Sequence, residues 1–402
     1  MRHPMRVLLL APQPFFVDRG TPIAVRAVVE ALCEAGHSVD LVTFHGGRDI
    51  AIPGMRHFRA PRPPLVGTVP VGLSWQKLLC NLSLLVLAFR LVRRGGYDCI
   101  HAVEDSVFLA MGLRLMGRLP LVFDMDSIMS DQIIEKWPAM RPVGALMRRF
   151  ERAAMRASDV VLAVCPALAE RAAEDAPGTP RHVLHDFPLE GSGAEAPAIR
   201  DPARPDRLLA LYVGNLQHYQ GVDLFLEAVR RLPGDAGVDV VIVGGLPEDA
   251  AARGEETAGA RVRFLGPMPL SCLPGLLAQA DVLVSPRLRG VNTPMKIYSY
   301  MMAERAILAT SILSHTQVLD ESCALLVPPE AGAMAAGLMR LAGDAALRAR
   351  LGAAARERAA TRYSKARFEE ILLSAYDALP APRSGARRMD GQGPAPALGS
   401  PR

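Results

Sequence analysis

The stretch that decides the fold is Arg6-Val-Leu-Leu-Leu-Ala11, then Asp18-Arg19-Gly20-Thr21-Pro22, then Ser38-Val-Asp-Leu-Val-Thr-Phe44. Residues 7 to 11 are an unbroken apolar run, too short for a secretory signal core. A strand covered on both faces of its sheet reads this way. Gly20 or Thr21 is placed to cap a helix with Pro22 in its first turn, and the helical pattern runs to about Ala35. Gly36 ends it, and Ser38 to Phe44 is the next strand. Strand, loop, helix and strand make one right-handed βαβ unit. Further buried strands are expected at Tyr97–Val103, Leu119–Asp124 and Val160–Val164.

Downstream the same plan repeats. Residues 186–206 are rich in Pro, Gly, Ala and acidic residues and read as a linker. After them come Leu208–Val213, a loop with Gly214 and Gly221, a helix to about Arg231, and Val238–Val243 before Gly244-Gly245. Later strands are expected at Val262–Leu265, Val282–Ser285, Ile307–Thr310 and Leu325–Val327, and a last helix at Lys365–Leu379. The pattern predicts an α/β chain of two Rossmann-like domains, residues 1–185 and 207–380, facing a central cleft. Residues 381–402, dominated by Pro, Gly, Ala, Ser and Arg, are expected to be a disordered tail. In such folds ligands sit beyond the carboxyl ends of the strands, so functional residues are sought in those loops.

Composition sets bounds on the partners. Lys and Arg number 46 against 41 Asp and Glu, a formal charge of +5 that favours anionic partners without choosing among them. Only Lys77, Lys136, Lys296 and Lys365 are lysines, every other cation being arginine. The cysteines Cys33, Cys80, Cys99, Cys165, Cys272 and Cys323 form no C-x-x-C pair, which argues against a zinc ribbon or a redox motif and for buried thiols in a reducing compartment. Leu78 to Val92 is the longest apolar stretch, shorter than the ~20 residues a membrane span needs. With Lys77, Arg90, Arg93 and Arg94 at its ends, it suits either a helix buried under the first sheet or one lying on anionic lipid. The protein is expected to be cytoplasmic, soluble or peripheral at a membrane.

Two rival chemistries lack their motifs. A dinucleotide dehydrogenase needs G-x-G-x-x-G directly after a strand, and a Walker loop needs its own glycine spacing, but Gly20 stands alone and Gly214 and Gly221 are too far apart. Arg148, Arg149, Arg152 and Arg156 lie on one expected helix without interleaved aromatics, which favours a solvated helix face over a nucleic-acid surface.

Longer segments carry a resemblance. Tyr212-Val-Gly-Asn-Leu-Gln-His-Tyr-Gln-Gly-Val-Asp-Leu-Phe-Leu-Glu-Ala228 resembles the opening of the C-terminal domain of retaining glycosyltransferases of family four, whose usual form is Y-V-G-R-L-x-x-x-K-G-x-D-x-L-L-x-A. Ser285-Pro-Arg-Leu-Arg-Gly-Val-Asn-Thr-Pro-Met-Lys-Ile-Tyr-Ser-Tyr300 and Ala306-Ile-Leu-Ala-Thr310 resemble that family's donor loop and the strand after it. Gly20-Thr21 is similar to its N-terminal Gly-rich loop, and Phe150-Glu-Arg-Ala-Ala-Met-Arg-Ala-Ser-Asp-Val160 to its segment before the linker. The resemblance implies a GT-B fold with an acceptor domain first and a nucleotide-sugar domain second. It also implies transfer with retention, without a metal and without a cofactor.

The chain departs from the family where the donor phosphates bind. Asn215 replaces the Arg of G-R and Gln220 the Lys of K-G, and the two family glutamates align with Val291 and Ser299. Arg287 and Lys296 in the donor loop are the cations left to meet a diphosphate. Asn292, Thr293 and Ser299 offer hydrogen bonds to sugar hydroxyls, phosphate or ribose. Gly20, Thr21, Gly214 and Gly244 complete the expected donor loops. Asp126 aligns near a histidine that contacts the donor sugar in many relatives, and it reads as a catalytic-side group or as a helix cap. His101, Glu104 and Asp105 form an expected acceptor cluster. Asp124-Met125-Asp126 has D-x-D spacing but follows a strand of the first domain, so no metal site is assigned.

These residues point to a hexosyltransferase. It would move a sugar from a nucleotide-diphosphate donor to a saccharide acceptor, expected to be lipid-linked, for cell-surface polysaccharide or glycolipid synthesis. A non-catalytic subunit of the same fold that binds a nucleotide or a partner is the alternative that the missing glutamates raise. An epimerase on this fold would need an acid/base cluster that the sequence does not display.

Overall fold

The computed structural model of the chain describes residues 3–18, 20–64, 66–67, 74–136, 138–189, 196–245 and 262–380. Arg19, part of the linker and the tail after 380 lie outside the described residues. The chain divides into two compact units. One takes the described parts of Met1–Leu162, Arg171–His182 and Leu373–Arg402, the other Ala163–Glu170 and Val183–Leu372.

The first unit opens as its sequence predicts, with β1 (Arg6–Ala11), α1 (Gly20–Glu34) and β2 (Ser38–Thr43). Val7 to Ala11 are fully buried, because helices cover both faces of the strand. β3 (Met55–Arg59), β4 (Cys99–Val103), β5 (Leu121–Met125), β6 (Val160–Ala163) and β7 (Arg181–Val183) complete a seven-stranded sheet in the order β3-β2-β1-β4-β5-β6-β7. β1 runs parallel to both β2 and β4, so the strand order reverses there. That reversal opens a crevice at the carboxyl ends of β1 and β4.

In the second unit β8 (Leu208–Val213), β9 (Val238–Val243), β10 (Val262–Phe264), β11 (Val282–Ser285), β12 (Ala306–Thr310) and β13 (Leu325–Val327) form a six-stranded sheet ordered β10-β9-β8-β11-β12-β13. Here the reversal lies between β8 and β11, which pair in parallel. Side chains alternate across the strands: Leu208, Ala210 and Tyr212 enter one core layer. Leu209 and Leu211 enter the other, which also holds Ile297, Tyr298, Tyr300 and Met301 of the Lys296–Met302 helix. That helix is anchored by its apolar residues, and this fixes where Lys296 stands.

The apolar stretch at Leu78 lies in α2 (Trp75–Arg94), whose Ser74 cap accepts the Lys77 N–H. The helix is 20 residues, longer than the run that marked it and long and apolar enough to cross a membrane. Yet Cys80, Leu84, Ala88 and Leu91 turn inward and are buried, so one side of α2 belongs to the core of the unit. Trp75, Leu78, Leu82, Val86 and Phe89 face outward. α2 packs on α3 (Ser106–Gly117), and α3 on α5 (Arg141–Ala157), which follows the short α4 (Met129–Lys136).

Candidate active site

Three loops converge at the β8–β11 reversal. The turn after β8 brings Gly214, Asn215 and Gln220; the end of β9 brings Gly244; the loop after β11 brings Arg287 to Lys296. Their backbones touch. At Gly244 (φ +115°) an added Cβ would lie 2.1 Å from the Gly214 carbonyl oxygen, and at Gly221 (φ +71°) 1.9 Å from that of Pro286. Only glycine allows such an approach in that region of backbone space.

Lys296 projects into this meeting point. Its Nζ lies 3.3 Å from Gln220 Oε1, to which it donates, and 4.0 Å from the centre of the Tyr212 ring. A Cβ on Gly214 would come within 3.2 Å of the same nitrogen. The Tyr212 hydroxyl donates to the Asn215 carbonyl at 2.6 Å, and Asn215 Oδ1 takes the Gln217 N–H at 3.1 Å, so that turn is closed by its own polar groups. Burial pulls the Lys296 ammonium well below the usual lysine range, and the positive charge of Arg287 adds to the effect. The cation therefore stands beside Gln220, where the resemblance implies the lysine of K-G.

Arg287 is tied to its own loop. It is buried, with its guanidinium carbon 5.3 Å from the centre of the Tyr219 ring. Its Nε donates to Arg289 O at 2.8 Å, Nη1 to Asn292 O at 3.2 Å and Nη2 to Asn292 Oδ1 at 3.1 Å. Three of its five N–H groups thus hold the loop between 287 and 292 in one shape. Thr310 Oγ1 donates to the Arg287 carbonyl, and Ser285 Oγ and the Thr310 carbonyl lie 2.9 and 2.8 Å from the two ring nitrogens of His315. Burial, with help from Arg287 and Lys296, pushes the His315 pKa down to about 3, so this ring is a neutral strut.

The far side of the loop is tied down as well. Gln317 accepts the Ala167 N–H at 2.9 Å and donates to the Val291 carbonyl at 2.7 Å. Thr293 is buried, and Ser299 Oγ takes the Leu189 N–H at 3.0 Å, joining the chain after β7 to the donor-loop helix. Sequence reading passed over Tyr212, Tyr219 and Gln317. Their roles come from contacts across tens of residues, and no local spacing announces them.

In the first unit, Gly20 and Thr21 open α1 beyond β1. Glu104 and Asp105 follow β4 and meet at Lys77, whose Nζ is 3.8 Å from Glu104 Oε2 and 2.8 Å from Asp105 Oδ1. Asn81 donates to Asp105 Oδ2 at 2.7 Å. Glu104 has φ +49°, a backbone setting rare outside glycine. Burial raises its pKa against the pull of Lys77, and Asp105 and Asp124 raise it further. His101 does not join them. It sits inside β4, fully buried, with Nε2 3.2 Å from Asp124 Oδ2 and Nδ1 2.8 Å from the Tyr376 hydroxyl. Asp126 follows β5 and is half-buried. Among the described residues no three His, Cys, Asp or Glu side chains gather as a metal-binding group.

Comparison with known proteins assigns the family. Residues 19–186 match the model of a glycosyl transferase 4-like domain, and residues 207–344 that of glycosyl transferases group 1. A phosphatidyl-myo-inositol mannosyltransferase of Mycolicibacterium smegmatis is 24% identical over 375 residues, covering 88% of this chain and 89% of its own. Among solved structures, sucrose-phosphate synthase from Thermosynechococcus elongatus superposes with a TM-score of 0.74 at 22% identity, over 93% of this chain and 98% of that one. Anabaena Alr3699/HepE in complex with UDP gives 0.71 at 15%, over 93% and 100%. At these identities the likeness to the solved structures shows a shared fold. The two family models span most of the sequence, and the chain belongs to the GT4-type glycosyltransferases of GT-B fold.

Proposed function

We propose that this glycosyltransferase moves a hexosyl group, with retention, from a nucleotide-diphosphate sugar to a saccharide carried on a lipid, in the synthesis of a cell-surface polysaccharide or glycolipid. The observation that carries this reading is Lys296, a cation held over Tyr212 and Gln220 at the β8–β11 reversal. A sugar leaving a diphosphate develops negative charge on the phosphates, and a fixed cation in a water-poor niche stabilises it. Lys296 takes that role, and it needs no metal to do so. Arg287 keeps the loop in shape so that Asn292 and Thr293 meet the donor, while Gly214, Asn215, Gln220 and Gly244 line its phosphates and Ser299 supports the helix beneath. In the first unit, Gly20 and Thr21 offer the start of α1 to the donor, and Asp126 takes a hydroxyl of the donor sugar or of the acceptor. Glu104 and Asp105 bind the acceptor, and His101 braces Asp124 from below. The lipid-carried acceptor agrees with the phosphatidyl-myo-inositol in the name of the mycobacterial relative.

The same reading places the protein in the cytoplasm, peripheral at the inner face of the membrane. Exposed large apolar side chains crowd onto α2 (Trp75, Leu78, Leu82), α3 (Leu115, Met116) and α5 (Val143, Leu146, Phe150); elsewhere among the described residues only Leu313 and Met339 join them, besides Met140 next to α5. Exposed apolar side chains with basic residues on the same helix, as on α2, suit an anionic lipid surface. The absence of both family glutamates, at Val291 and Ser299, favours a second reading, a subunit that binds nucleotide without turnover. The deciding experiment combines titration of UDP, GDP and their sugars with an assay of sugar release or transfer in EDTA. Binding with turnover in EDTA is expected. Binding without turnover selects the subunit, a strict need for manganese or magnesium removes the metal-free mechanism, and no binding removes both readings.

A further inference from the structure

Between α2 and α3, in the first unit, lies a groove of about 950 Å3. Its walls include Leu85 and Phe89 of α2 and Leu109, Leu113 and Met116 of α3. Arg90, Arg93 and Arg94, on the last turns of α2, line the same groove and are exposed. Arg93 lies with its guanidinium carbon 5.9 Å from the centre of the Phe89 ring, which holds its charge against the apolar wall. The volume is near the upper end of the ~300–1,000 Å3 found for small-molecule sites. An apolar trough with arginines grouped toward one end has the chemistry of a single-chain amphiphile with an anionic head.

We propose that this groove takes one hydrocarbon chain of the lipid that carries the acceptor, and that Arg90, Arg93 and Arg94 hold the phosphate of that lipid. The inference rests on the lipid-linked acceptor proposed above and names where its lipid part is held. Arginine forks match phosphate oxygens in pairs, and leucine and phenylalanine walls take the chain out of water. Leu78 and Leu82 do not line the groove and meet the bilayer itself, whereas Val86 and Phe89, exposed on the later turns of α2, belong to the groove wall. Gly112 of α3 gives a way to tell them apart. It lines the groove, and a Cβ added there would meet nothing within 4 Å, so a large side chain at this position fills the trough without disturbing the packing behind it.

The test uses the full chain with dodecyl phosphate, kept below its micelle concentration, and inorganic phosphate beside it. Dodecyl phosphate is expected to bind and raise the melting temperature, while inorganic phosphate at equal concentration leaves it unchanged. Gly112→Phe, and independently Val86→Trp on the opposite wall, should weaken dodecyl phosphate at least about tenfold. The pair Arg90→Ala and Arg93→Ala should weaken it by a similar factor, and less so in high salt. Both filling variants should respond to nucleoside diphosphate as the parent does, which certifies their fold and keeps this result separate from the donor reading. In vesicle sedimentation they should pellet like the parent, whereas Leu78→Ser with Leu82→Ser should not. Unchanged dodecyl phosphate binding in both filling variants, or an equal response of the parent to inorganic phosphate, overturns the proposal. Loss of vesicle binding by Gly112→Phe would assign the groove to bulk lipid and overturn it as an acceptor site. A parent that binds dodecyl phosphate in the groove but no nucleotide would sink the transferase reading and leave the lipid site standing.

Discussion

Lys296→Met is the perturbation that most directly probes the donor site. Methionine keeps a long unbranched stem against the Tyr212 ring and removes only the charge. In the free protein the ammonium's neighbours are Gln220 Oε1 at 3.3 Å, the Tyr212 ring at 4.0 Å and the repulsive charge of Arg287. Burying it therefore costs free energy that these neighbours offset poorly, and the variant should melt at the same temperature as the parent or higher. A bound diphosphate supplies the missing opposite charge. Losing one charge-assisted hydrogen bond to it costs ~1.5–3 kcal/mol, about ten- to over a hundredfold in Kd. The assay is calorimetric titration with UDP or GDP, whichever the parent binds more tightly, and with the matching nucleoside, which carries no phosphate and should bind both proteins equally. The pH dependence adds a sign. Burial and Arg287 lower the pKa of Lys296, so it loses its proton at a lower pH than an ordinary lysine. Diphosphate affinity in the parent should therefore fall as the pH rises through that lowered value, and the Met variant should show no such fall. Equal affinities for the diphosphate, within about twofold, would refute the assignment of Lys296 to the phosphates.

Gly244→Ala places a methyl 2.1 Å from the Gly214 carbonyl at φ +115°, and should cost about 1–3 kcal/mol of stability together with most nucleotide affinity; Gly178→Ala, in open space, should change neither in melting and titration. His315 is neutral in the folded protein down to about pH 3, mainly through burial, while the unfolded chain protonates it near 6.5. The unfolded state then binds more protons as the pH falls, so stability drops from pH 6.5 toward 3, by about 2 kcal/mol at pH 5, and His315→Asn should flatten the melting-temperature profile over that window. Sedimentation with anionic vesicles should be weakened but not abolished by salt, because charge is screened and apolar burial is not; a parent that never pellets would remove the bilayer from the proposal.

Much of the fold was legible because its signal is local. The unbroken run Val7–Ala11 announced a doubly covered strand, and Gly36 marked the end of the helix before β2. β3 escaped notice, since Met55-Arg-His-Phe-Arg59 is an edge strand with polar side chains and no apolar run to mark it. For α2 the sequence left two outcomes open, a buried helix or one lying on lipid, and the structure buries one side of the helix and leaves the other exposed. Leu84 faces the core while Leu78 and Leu82 face outward, because one apolar helix has enough greasy surface for both. At the site, the rarity of lysine singled out Lys296 before its neighbours were known. Its pairing with Gln220 lay 76 residues away, beyond any spacing rule. Arg287 was legible as a cation in the right loop, but its hydrogen bonds to Arg289 and Asn292 depend on a loop conformation the sequence does not declare.

The first unit borrows its final pieces from the far end of the chain. Tyr376 and Ala375 are buried there, Tyr376 stacked on His101 and on His37 at ring distances of 6.1 Å. During synthesis, β1 to β5 therefore emerge from the ribosome with a gap over His101 that closes only after some 250 further residues have been made, about half a minute at ~5–20 residues per second. In that interval the nascent unit carries an uncovered patch, and the order of birth is not the order of completion.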